Sequence, residues 1–121
     1  MKKILIVEDQ SEIRELIKVT LEFEDYEIYE ASNGPDALAS AKRVTPDLIL
    51  LDVMMPGGMD GTEVCKQVKS DSRLSRTRVI MLSAKSQVAD KAAGVSAGAD
   101  SYLTKPFSPM ELLKSIKKVL R

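Results

Sequence analysis

Leu48-Ile49-Leu50-Leu51 sets four branched aliphatic residues side by side, and the run stops at Asp52. A half-buried strand would alternate apolar with polar residues, and four residues leave no room for a helical period. The pattern therefore predicts a strand buried on both faces. Such strands belong to parallel sheets covered by helices on each side, a stronger constraint than any other in the chain. In open sheets of that kind the ligand site lies beyond the carboxyl ends of the strands. Asp52, sitting at such an end, is the first candidate for chemistry.

The rest of the chain supplies the elements such a sheet needs. Ile4-Leu5-Ile6-Val7 predicts a second central strand, ending at Glu8-Asp9. Ile13, Leu16, Ile17 and Leu21 recur at helical spacing from a Ser11 cap. Tyr26 to Ala31 predicts a more polar strand, and Asn33-Gly34-Pro35-Asp36 a turn into a helix through Ala37, Leu38 and Ala41, closed by Pro46. Met55-Pro56-Gly57-Gly58 is loop, and Asp60 or Thr62 caps a helix carrying Val64, Cys65 and Val68. Val79 to Leu82 is a further strand ending at Ser83. A helix follows from about Gln87 to Ala97, with Gly98 at its C′ position. Ser101-Tyr102-Leu103 is a last strand, ending at Thr104-Lys105-Pro106, and Pro109, Leu112, Leu113, Ile116 and Leu120 mark the final helix. Five alternations without repeats or linkers predict one doubly wound α/β domain over residues 1–121, with helices on both faces of a parallel sheet.

Several function classes drop out. The chain has no histidine, so imidazole base catalysis and a Ser/His/Asp triad are excluded, and the chain cannot itself be a phosphohistidine donor. One cysteine, Cys65, permits no internal disulfide and points to a reducing, cytoplasmic setting; on the apolar face of its helix it reads as core. The apolar run after Met1-Lys2-Lys3 is too short for a signal peptide or a membrane span. Net charge is zero, but residues 1–60 carry 6 basic and 13 acidic side chains and residues 61–121 carry 12 and 5. Most of these suit solvated helix faces. The cations at Lys114, Lys117, Lys118 and Arg121 suit the end of a helix, so nucleic-acid binding gains no support.

Four strand ends carry pointed chemistry: Glu8 and Asp9, Asp52, Ser83, and Lys105. The fold brings them to one rim. Each has a plain structural reading as well: Glu8-Asp9 as a helix cap, Asp52 and Ser83 as turn residues, Lys105 as an ordinary residue before proline. Three carboxylates together repel, at a cost of roughly 4 kcal/mol per pair at about 4 Å and an effective dielectric of about 20. A hard divalent ion such as Mg²⁺ and the Lys105 ammonium would compensate, and the same positive charge would hold a phosphoryl group beside Asp52. An Asp carboxylate is a competent phosphoryl acceptor, and the Ser83 hydroxyl could donate to a phosphoryl oxygen.

These residues resemble, along the whole chain, the receiver domain of two-component response regulators, of the kind found in chemotaxis regulators. Glu8-Asp9 is similar to the family's acidic pair, Asp52 with Met55-Pro56 and Asp60-Gly61 to its phosphoacceptor loop, Ser83-Ala84 to its switch position, and Lys105-Pro106-Phe107 to its lysine-proline motif. The resemblance implies a flavodoxin-like sheet of order 2-1-3-4-5. Asp52 would accept a phosphoryl group from a sensor histidine kinase or a phosphotransfer protein. Mg²⁺ would be held by Asp9, Asp52 and the Met54 backbone carbonyl, with Glu8 acting through water. Ser83 and the Tyr102 aromatic would move toward the phosphoryl group and the interior, and so remodel the surface of the fourth helix, fifth strand and fifth helix for a downstream effector protein or a homodimer. Met54 and Lys85 hold positions that tune autodephosphorylation in the family, and a cis Lys105-Pro106 bond is implied. Such a domain is no enzyme beyond its own Mg²⁺-dependent phosphorylation and autodephosphorylation.

The loop departs from the family pattern, because Gly57-Gly58 makes it one residue longer. Rival readings are a degenerate receiver, a flavin or nucleotide binder of flavodoxin type, and an aspartyl-phosphate phosphatase on a similar sheet. Against the last, Met54 stands where such enzymes resemble a pattern with a second Asp; against the flavin reading, no Gly-rich phosphate loop follows the first strand. With Arg121 directly after the last helix, two expectations fit: a stand-alone receiver, or a piece cut from a longer regulator.

Overall fold

The computed structural model describes residues 1–55, 58–84 and 98–120. Its elements run in the order β1 (Lys2–Val7), α1 (Ser11–Leu21), β2 (Tyr26–Ala31), α2 (Gly34–Val44), β3 (Leu48–Asp52), α3 (Gly61–Ser70), β4 (Arg78–Ala84), β5 (Ser101–Lys105) and α4 (Pro109–Val119). The helix expected over 87–97, together with Lys85, Pro56, Gly57 and Arg121, lies outside the described residues. The expected fifth helix is therefore α4.

All strand pairings are parallel and the sheet order is β2-β1-β3-β4-β5. The expected order 2-1-3-4-5 is thus present. The alternating pleat divides the central strands between two cores. Leu5, Val7, Ile49, Leu51, Val79 and Met81 face one way and pack with Ala37, Leu38 and Ala41 of α2 and Val64, Cys65 and Val68 of α3. Ile4, Ile6, Leu48, Leu50, Ile80, Leu82 and Leu103 face the other and meet Ile17 and Leu21 of α1 and Leu112 and Ile116 of α4. Covering both faces is what allows β1, β3 and β4 to be near-continuous aliphatic runs. Strand β2 is more polar because it is an edge and only half-buried.

Several local expectations need correction. Ser11 is not the cap of α1 but its first helical residue. The N-cap is Gln10, one residue earlier, whose carbonyl accepts from Arg14 N–H at 3.0 Å and whose side chain makes no cap bond. Asn33-Gly34-Pro35-Asp36 is not a turn ahead of a helix but the N-terminus of α2 itself. Asn33 accepts from Asp36 N–H at 2.9 Å, and Pro35 sits in the first turn, where its missing N–H costs nothing. Helix α2 stops at Val44 rather than at Pro46, on Thr45 in the left-handed region at φ 47°. Strand β4 runs through Ser83 to Ala84, and β5 extends to Lys105, because the two stay in register to the pair Ala84 and Lys105. Of the two candidate caps for α3, Asp60 is used, accepting from Glu63 N–H at 3.0 Å. Gly98 has φ 92°, a left-handed conformation that suits glycine, while the helix it was expected to close lies outside the described residues.

Candidate functional site

Parallel pairing carries Glu8, Asp52, Ser83 and Lys105 to one rim, because each lies within a residue or two of the carboxyl end of its strand. Carboxylate oxygens of Glu8, Asp9 and Asp52 lie within 4.8 Å of one another. Glu8 is fully buried and Asp52 is 5% exposed, while Asp9 faces solvent. The Lys105 ammonium closes the group, 2.8 Å from Glu8 Oε1 and 3.2 Å from Asp52 Oδ1. Met54 N–H donates to Asp52 Oδ1 at 3.3 Å. Glu8 Oε2 in turn accepts from Gln10 N–H at 3.2 Å, which holds the loop between β1 and α1 against the site.

One ammonium does not balance three carboxylates. Burial first, and then the neighbouring Glu8 carboxylate, raise the Asp52 carboxyl from 3.8 to about 7, with Lys105 pulling the other way. Burial by itself would depress the Lys105 ammonium, but Glu8 and Asp52 outweigh it and hold its pKa above the usual lysine value. Beside that one ammonium the rim offers only carboxylate oxygens and is still short of positive charge, which is the donor set of a hard divalent cation. Asp9 and Asp52 fit as ligands of Mg²⁺. Glu8 lies in the same acidic group, with Oε1 on the Lys105 ammonium and Oε2 on Gln10 N–H.

The profile of the family described as "Response regulator receiver domain" matches residues 4–117. This chain belongs to that family. Its receiver sequence is 47% identical over 119 residues to the transcriptional regulatory protein ResD of Bacillus subtilis, covering 98% of this chain and 48% of ResD. It is 48% identical over 120 residues to the phosphate regulon transcriptional regulatory protein PhoB of Pseudomonas aeruginosa, covering 99% of this chain and 52% of PhoB. The chain thus spans about half the length of these curated relatives. A putative response regulator from Chloroflexus aurantiacus superposes with a TM-score of 0.93 at 35% identity, over 98% of this chain and 97% of that one. The chemotaxis response regulator CheY4 of Vibrio cholerae does so with a TM-score of 0.92 at 38% identity, over 99% of each.

The remaining expected residues of the receiver domain are placed as follows. Ser83 is buried and follows Leu82, the residue in register with Asp52. Tyr102 lies on β5 opposite Met81, half-buried against the α2–α3 core. The Lys105-Pro106 bond is cis, as the resemblance implied. Met54 is exposed, and Gly58 in the longer loop has φ 80°, a conformation that suits glycine. Cys65 is fully buried, and burial pushes its thiol up to about 11, in keeping with a core residue. Among the described residues no helix is long and apolar enough to cross a membrane.

Sequence reasoning missed Arg14. Its Nη1 donates to the Glu8 carbonyl at 2.7 Å and its Nε lies 3.2 Å from Glu30, so α1, β2 and the acidic loop are tied together. The only trace in the sequence is one arginine on the polar side of a helix, a pattern shared by many residues with no such task.

Proposed function

We propose that the chain is the phosphorylation switch of a two-component phosphorelay, with Asp52 as phosphoacceptor. The observation that carries this reading is the buried Asp52 carboxyl, raised to about 7 and flanked by Asp9, Glu8 and Lys105 on the ligand-bearing rim of the sheet. Asp9, Asp52 and the Met54 backbone carbonyl would hold Mg²⁺, and Glu8 would act through water. The ion, when bound, supplies the positive charge that keeps Asp52 ionised and neutralises phosphoryl oxygens.

The donor is a sensor histidine kinase or phosphotransfer protein. An Asp52 oxygen bonds to phosphorus while the phosphorus–nitrogen bond of the donor phosphohistidine breaks. The electron pair leaves with the imidazole, which takes a proton from water. Lys105 must then exchange part of its contact with Glu8 and Asp52 for a phosphoryl oxygen. The Ser83 hydroxyl contributes another donor, and Tyr102 couples the change to the surface of β5 and α4. That surface receives a downstream effector or a second copy of the chain, without direct nucleic-acid contact by these residues. The 121 residues act in the cytoplasm as one domain, with no enzymatic activity beyond self-phosphorylation and autodephosphorylation.

The deciding experiment is incubation with acetyl phosphate and Mg²⁺ followed by intact-mass measurement. Wild-type protein should gain one phosphoryl group and Asp52→Asn none. No gain in the wild type, or an equal gain in the variant, overturns the reading.

A further inference from the structure

We propose that Gly61 is a positioning residue for Asp52, its bare Cα forming the seat against which the acceptor's backbone rests. The inference builds on the reading of Asp52 as phosphoacceptor and adds what holds that side chain in place. A Cβ at position 61 would lie 2.1 Å from the Asp52 carbonyl oxygen, 2.9 Å from its carbonyl carbon and 3.0 Å from Val53 Cα. Real Cβ contacts stay above 3.0 Å, so a single methyl group demands a displacement of about 1 Å. All three obstacles are backbone atoms, which no rotamer change can move aside.

The reason for glycine here is space, because Gly61 is not among the residues of positive φ. The contact is also anchored from both sides. Gly61 N–H donates to the Val53 carbonyl at 2.9 Å, and Val53 N–H donates to the Leu82 carbonyl at 3.0 Å, so the peptide carrying Asp52 is clamped between α3 and β4. The Asp60 cap, 3.0 Å from Glu63 N–H, fixes the first turn of α3 that forms the seat. The Asp52 side chain leaves a Cα one bond from that carbonyl carbon, so the seat fixes the origin of the carboxylate. Displacement by about 1 Å is enough to spoil a metal and phosphoryl geometry.

The test compares Gly61→Ala with Val68→Ala, a cavity on the buried side of the same helix that adds no atoms near Asp52. Calorimetric titration of Mg²⁺ into the metal-free proteins reads the carboxylate geometry, and urea unfolding reads stability. Gly61→Ala should bind Mg²⁺ about tenfold more weakly or worse and take phosphoryl from acetyl phosphate more slowly. Val68→Ala should lose stability and keep wild-type affinity. A second pair covers the case in which Gly61→Ala does not fold. Asp60→Ala, which frees the first turn, should weaken Mg²⁺ binding, and Asp60→Asn, which removes the charge but keeps a capping oxygen, should not. Equal Mg²⁺ affinity in Gly61→Ala and Val68→Ala, or in both Asp60 variants and the wild type, overturns the seat. Wild-type protein that binds Mg²⁺ yet gains no phosphoryl mass counts against the Asp52 reading alone.

Discussion

Removing the Asp52 charge should stabilise the metal-free protein, and more at high pH than at low. A carboxyl with a folded pKa of about 7 against 3.8 in the unfolded chain keeps its proton better when folded. The native state then binds more protons between those values, so stability falls as pH rises from about 4 to about 7 and levels off above. The full difference would amount to about 4 kcal/mol at pH 8. The rim opens to water through exposed Asp9, and screening there reduces the expected cost to about 2 kcal/mol at pH 8 and under about 1 kcal/mol at pH 5. Asparagine stands in for the protonated acid and keeps an oxygen for Lys105 and Met54 N–H. Urea unfolding of wild type and Asp52→Asn in EDTA should show a midpoint gain of about 1–2 M at pH 8 and markedly less at pH 5, at equal slope. Mg²⁺ at pH 8 should narrow the gap by stabilising only the wild-type cluster. A gain independent of pH, or a loss at pH 8, would refute the account of Asp52 as a buried, repelled carboxylate.

Mg²⁺ should raise the melting temperature of the wild type, and Asp9→Ala should weaken that response; an unchanged response would remove Asp9 from the metal site. Asp100 accepts from Val79 N–H at 2.8 Å, Lys69 at 2.7 Å and Arg78 at 3.3 Å, which together hold its carboxyl below the usual carboxylate range against the effect of burial. Its contribution is present above about pH 4 and lost as pH falls through its lowered value, so Asp100→Ala should cost about 2 kcal/mol at neutral pH and less near pH 3. Calorimetry at the two pH values checks it. Thr45, a β-branched residue at φ 47°, carries backbone strain that glycine would relieve, and Thr45→Gly should raise stability by about 0.5–1 kcal/mol by urea unfolding.

Much of this molecule follows from pattern alone. Four apolar residues before Asp52 cannot be served by one buried face, so helices on both sides follow, and the period of two then sorts Leu48 and Leu50 from Ile49 and Leu51. Candidate residues at strand ends were legible for the same reason, since parallel strands all deliver their carboxyl ends to one rim. Cap positions were less legible. Ser11, Asn33 and Asp60 are all good capping residues, and only the hydrogen bonds show which of them are used, and how.

What tertiary structure decided is how those residues meet. Lys105 reaches Glu8 across 97 positions, Asp100 ties α3 to β4, and Arg14 braces the acidic loop, contacts that depend on the spacing of whole elements. The raised Asp52 carboxyl is of the same kind, because burial and a neighbouring charge exist only once β1 and β3 are paired. Gly61 marks the boundary most clearly. Its identity is plain in the sequence, but the 2.1 Å that forbids a side chain there is a distance between a helix and a strand, and only packing sets it.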